Sequence, residues 1–258
     1  MPEAPRAELL RGLAVFAEAP GPSHTALAGA LGIPGVPDAA EYSDVFLFQL
    51  YPYASVHLGP EGMMGGEARD RVAGFWRALG LMPPAEPDHL AALLGLYASL
   101  AEQLEGAASE GEKLLVERAR GALLDEHLVP WIFLFLHRVR ELAGSAYAAW
   151  AELLDDALAS EVRAAGRSEG QISAHVRAAP ALPDPRSAGA GPFLEGLLAP
   201  ARAGALVVRG GRAGIAARRA IGLRAGAREY AREPLFAPDA AGERRGLAQA
   251  CARQARRR

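Results

Sequence analysis

Side chains branched at Cβ are scarce in this chain: one Thr, five Ile and twelve Val, or 18 in 258 residues. Those residues fill the half-buried pleated surface of a sheet. Their scarcity beside abundant Ala and Leu predicts helices. A G+C-rich coding sequence would account for the many Ala, Arg, Gly and Pro residues and for the lone Lys113. It would not account for scarce Val and Thr, whose codons can also end in G or C. The expected fold class is therefore all-α.

Periodicity places the helices. Leu9, Leu10, Leu13 and Phe16 mark a first short amphipathic helix that ends before Pro20-Gly21-Pro22. Ser23 is the expected cap of a second, which runs to Leu31 before Gly32 and Pro34. Val45 to Tyr51 is apolar all round and predicts a buried helix, with a strand as the weaker option. Pro52 to Gly66 reads as a loop carrying Tyr53, His57, Met63 and Met64. Val72, Phe75, Trp76 and Leu79 fall on one helical face, and Leu90, Leu93, Leu94, Tyr97, Ala101 and Leu104 on another. A long helix from about Glu112 meets Pro130, where it should kink or restart. Tyr147, Trp150, Ala151, Leu154 and Leu158 define one more. Together they predict a helical bundle over residues 1–177. Ala178–Pro192, rich in Ala, Pro and Gly, is expected to link it to a basic helical segment, 193–258. Within that segment, helices are expected at Phe193–Leu198, at Arg212–Ile221 and from Asp239.

The net charge of −2 conceals a division. Residues 1–199 hold 26 Asp and Glu against 14 Arg and Lys, a net of −12, whereas residues 200–258 have a net of +10. The asymmetry bears on partners, or on one half docking against the other, rather than on fold. A single cysteine, Cys251, forms no internal disulfide and no zinc cluster, which suits a reducing cytoplasm. No export signal is read in residues 1–20, and Leu128–Leu136 is far shorter than the roughly 20 residues of a membrane span.

Catalytic motifs are poorly represented. Gly106 to Leu114 only approaches a phosphate loop, since Lys113 comes one place late and Glu105, Glu110 and Glu112 would repel phosphate. Glu86-x-x-His89 has the spacing of one half of a di-iron bundle site, but Leu124 stands three places before His127, so the second half is missing. No cofactor, no metal and no enzyme activity are expected. His24, His57, His137 and His175 read as surface or packing residues.

Two segments pair a carboxylate and a histidine with proline at a helix end: Glu86-Pro87-Asp88-His89 and Glu126-His127-Leu128-Val129-Pro130-Trp131. The first also reads as an ordinary helix start, with Glu86 or Asp88 capping, and His89 divides evenly between capping and binding. Trp76 and Trp131 are core residues unless partly exposed. In that case Phe75, Trp76, Leu79, Trp131 and Phe135 would line a groove for the apolar face of a peptide helix. Nearby Glu86, Asp88, Asp125 and Glu126 would draw its basic end. The alternative is a nucleic-acid-binding or regulatory protein that uses the Arg-rich C-terminal segment, although no recognisable binding motif accompanies those arginines.

The order and spacing of Glu41-Tyr42 through Phe46, Leu50-Tyr51-Pro52-Tyr53-Ala54-Ser55-Val56, Glu86-Pro87-Asp88-His89-Leu90 and Glu126-His127-Leu128-Val129-Pro130-Trp131 resemble the TorD/DmsD family of redox-enzyme maturation chaperones. The likeness covers residues 41–136, and Pro200-Ala-Arg202-Ala-Gly204 resembles the start of some members' C-terminal part. It implies an all-helical cytoplasmic chaperone without catalysis. Such a chaperone binds the apo-form of a molybdopterin-containing oxidoreductase subunit, commonly by its twin-arginine signal peptide, and holds it until the molybdenum cofactor is inserted. The family's Pro-Asp-His residues fall on Pro87, Asp88 and His89, and its second carboxylate–His pair on Glu126 and His127. With Phe75, Trp76, Glu86 and Trp131 these make up the expected peptide-binding set. Ala54 departs from the family, standing where many members have Glu, and residues 178–258 extend beyond its compact domain.

Overall fold

A computed structural model describes residues 3–59, 62–166, 184–189, 192 and 206. These residues form helices α1 (Glu3–Val15), α2 (Pro22–Leu31), α3 (Ala39–Tyr42), α4 (Ala54–Leu58), α5 (Gly66–Ala78), α6 (Leu90–Gly106), α7 (Glu110–Ala122), α8 (Ile132–Leu142), α9 (Ser145–Ala164) and α10 (Pro185–Ala188). Two π-helical turns, Ser43–Leu47 and Leu123–Leu128, follow α3 and α7. There is no strand among the described residues, only one isolated antiparallel bridge between Tyr53 and His89. The three expected helices between residues 193 and 258 lie outside the described residues, as does most of the expected linker; α10 falls within that linker.

α1 lies along α6 and touches α9, and α8 packs on α9. Their shared core is aromatic. Phe46 meets Tyr147 edge-on at 4.9 Å and Trp150 at 5.8 Å, and the Trp131 and Phe135 rings adjoin at 5.4 Å. The indole of Trp150 donates to the Leu13 carbonyl in the last turn of α1 (2.8 Å), so burial leaves that polar atom satisfied. A carboxylate also ties the layers together. Glu41 of α3 accepts from the Gly144 N–H at the start of α9 (2.8 Å), capping a helix 103 residues away.

Local geometry explains two departures from the sequence pattern and the break expected at Pro130. α2 starts at Pro22 with Gly21 rather than Ser23 at its cap, since proline suits the first helical position and the His24 imidazole accepts from the Gly21 N–H (3.0 Å). The apolar run after Tyr42 is helical but not buried all round. Phe48 N–H reaches back to Ser43 O (3.1 Å), a five-residue loop whose extra residue shifts the following side chains around the axis. Val45, Phe46 and Leu50 consequently face the core, while Leu47 is 45 % and Phe48 60 % exposed. At Pro130 the chain does break. Trp131 N–H bonds to Leu128 O (3.1 Å), and the Trp131 indole donates to the carbonyl of His127 (2.7 Å).

Candidate functional site

Proline restricts the residue before it to extended backbone, and this shapes both Tyr51-Pro52-Tyr53 and Glu86-Pro87. The two segments pair side by side, the second through a turn that the His89 N–H closes on the Glu86 carbonyl (3.3 Å). Ala54 N–H bonds to Asp88 O at 2.9 Å and Leu90 N–H to Pro52 O at 2.8 Å. This clamp sets the N-termini of α4 and α6 next to each other. Asp88, 1 % exposed, turns its carboxylate inward and accepts from the Ser55 N–H in the first turn of α4 (3.1 Å). His89 caps α6, its Nδ1 accepting from the Ala91 N–H (3.2 Å). That bond places the neutral ring's proton on Nε2. Of the two roles open to His89, capping is therefore occupied through one nitrogen.

The third member of the motif points elsewhere. Glu86 is exposed and accepts a hydrogen bond from the Tyr53 hydroxyl (2.8 Å), and the Tyr53 ring stands edge-on to His89 at 4.8 Å. Two further residues, Glu18 and Tyr42, act electrostatically on this corner from distant parts of the chain. The half-buried Tyr42 phenol is pushed up by burial and then by the carboxylates of Glu18 and Glu86. Tyr53 is raised by burial, its bond to Glu86 and that carboxylate's charge. Burial lowers His89, against the opposing pull of Glu86, Glu18 and Asp88. The corner brings together the side chains of Glu18 and Glu86, two phenols and an imidazole whose charged form burial disfavours, a set suited to holding a guanidinium or ammonium group. Phe48 lies one π turn from Ser43, the neighbour of Tyr42, and Met82, 88 % exposed, lies four residues before Glu86.

The second expected segment meets the same helix, α5. Phe75 packs against the His127 ring at 5.1 Å, and the neighbouring Trp76 donates its indole N–H to Pro87 O at 3.3 Å. The last turn of α5 thus touches both histidine segments on adjacent faces. Phe75, Trp76 and Glu126 are half-buried, whereas Pro87 and His127 are buried. Trp131 and Phe135 are 1 % and 0 % exposed, and Trp131 stacks flat on His57 at 4.7 Å. The expected groove edged by Trp131 and Phe135 is corrected accordingly: both rings are core, leaving Phe75, Trp76 and Leu79 at its edge. Among the described residues no three His, Cys, Asp or Glu side chains are grouped to hold a metal ion.

Residues 38–137 match the family model described as nitrate reductase delta subunit, the TorD-like chaperones. The match spans 100 of the 258 residues, and over this stretch the chain is similar to that family. The stretch contains every residue of the two histidine segments together with Tyr42, Tyr53, α5 and α6. The family serves molybdoenzyme maturation and consists of chaperones rather than catalysts. No curated protein matches the chain. None of the described helices is long and apolar enough to cross a membrane.

Sequence reasoning missed Glu18, Tyr42, Tyr53 and Phe48 as companions of Glu86. Tyr42 and Tyr53 stood within the quoted motif stretches, and that was the available signal. Glu18 had none, because only the turn after α1 brings it to the corner.

Proposed function

We propose that this chain acts in the cytoplasm as a chaperone for a molybdopterin-containing oxidoreductase subunit, grasping its twin-arginine signal peptide before the molybdenum cofactor is inserted. One observation carries the reading: a carboxylate–phenol corner of Tyr42, Tyr53, Glu86 and His89 under the charge of Glu18, with the exposed apolar side chains of Leu47, Phe48 and Met82 a few residues away in sequence. A signal peptide of this kind has a basic end followed by an apolar helical stretch, and such a corner complements both. In this reading Glu86, His89, Trp76, Phe75 and Glu126 present surface to the peptide. Pro87, Asp88, His127 and Trp131 hold those groups in place.

The test is co-expression with a molybdoenzyme subunit in two forms, one carrying its signal peptide and one with the adjacent arginines changed to glutamine. The intact form is expected to co-purify with this chain in its apo state, and the glutamine form to be depleted. Equal recovery of both would move recognition away from the signal peptide to the folded body of the client.

A further inference from the structure

Leu206 is 2 % exposed and belongs to the same core cluster as the helical body. Residues 207–258 carry 13 arginines against four carboxylates, a net of +9, while residues 1–206 have a net of −11. They include Arg218-Arg219 followed by Ala220-Ile221-Gly222-Leu223, an adjacent arginine pair leading into mostly apolar residues. This is the same chemistry as the peptide assigned above to the Glu18–Tyr42–Tyr53–Glu86 corner.

We propose that residues 207–258 compete intramolecularly for that corner, with Arg218 and Arg219 against the Glu18 and Glu86 carboxylates and Ile221 and Leu223 toward Leu47 and Phe48. The inference rests on the corner being the peptide site and adds how access to it is regulated. The 12 residues from Leu206 to Arg218 span at most about 40 Å when extended, comparable to the width of a body of this size. A tether of this length supplies an effective concentration on the order of millimolar, enough for a weak internal ligand to occupy the site until a stronger client displaces it. The electrostatic part acts only at contact range, since charges at cellular salt are screened beyond about 8 Å.

Two measurements on the full chain test this. In the first, a synthetic signal peptide with adjacent arginines and an apolar stretch is titrated into wild type and into Arg218→Glu/Arg219→Glu. The double variant is expected to bind about tenfold more tightly, with the gap closing at about 0.5 M salt. In the second, limited trypsin digestion follows cleavage within residues 207–258 without any client. Wild type is expected to be cut several-fold more slowly than Glu18→Lys/Glu86→Lys. Equal affinities and equal cleavage rates would overturn the competitor while leaving the peptide site intact. Slow cleavage with no peptide binding by either form would instead uphold tail docking and remove the client reading.

Discussion

Replacing Asp88 by alanine separates holding the corner together from gripping a ligand. The carboxylate is buried and accepts from the Ser55 N–H, while its own backbone carbonyl accepts from Ala54. Removing the side chain uncaps α4 and leaves the Ser55 N–H buried without its acceptor. Loss of such a cap costs about 1–2 kcal/mol, and an unmet buried donor about 1–3 kcal/mol. These describe one lost bond and do not add, and removal of a buried charge returns part of the cost. A net destabilisation of about 2 kcal/mol follows, which for a body of this size lowers the melting temperature by about 4–8 °C. Asp88→Asn keeps an acceptor oxygen and should lose about half as much. The assay is thermal unfolding followed by circular dichroism, paired with peptide titration well below the transition. Glu86→Gln should behave in the opposite way, melting like wild type and binding more weakly. An Asp88→Ala protein that melts within about 1 °C of wild type, less than a lost cap predicts, would refute the assignment of this carboxylate to structure.

Three further outcomes follow. Because burial lowers His89 below the usual imidazole value, the unfolded chain binds a proton first as pH falls, so stability present above about pH 6.5 is lost as pH drops toward the folded value. Chemical denaturation across pH 7.5 to 5 should show this loss, and His89→Asn, which caps without titrating in this range, should flatten it. Leu206→Ala should cost about 2–5 kcal/mol by emptying a core position, read as a lower denaturation midpoint. Gly65 has φ +92° and its N–H bonds to the Ser55 hydroxyl (3.1 Å), so Gly65→Ala should destabilise by about 1–3 kcal/mol without touching the peptide corner.

The helices were legible because their apolar spacing is local. Val72 with Leu79 and Leu90 with Leu104 announce α5 and α6, and Pro130 announces the break before α8. The clamp was legible only as two motifs, since nothing local in Glu86-Pro87-Asp88-His89 says that Asp88 turns inward to Ser55 while Glu86 turns outward to Tyr53. That division depends on Pro52-Tyr53 lying alongside, 33 residues earlier in the Tyr53–Glu86 pair. A variant removing Asp88 and His89 together would strip the caps of α4 and α6 at once, confusing stability with recognition. Periodicity was equally silent on which side of α8 Trp131 and Phe135 face, and large aromatics with helical spacing went to the core. The π turn after α3 was invisible to pattern counting. It turns Phe48 outward, and Phe48 became one of the more informative positions.

Photo-crosslinking at Phe48 tests the central claim most directly. A crosslinking amino acid placed there stands on the exposed π turn beside the corner, and the same group at Leu115, 67 % exposed on α7, serves as the control. With the signal peptide added to the Arg218→Glu/Arg219→Glu chain, adducts are expected at position 48, weakened by Glu18→Gln/Glu86→Gln and absent at position 115. Adducts at position 115 with none at 48 would contradict the account.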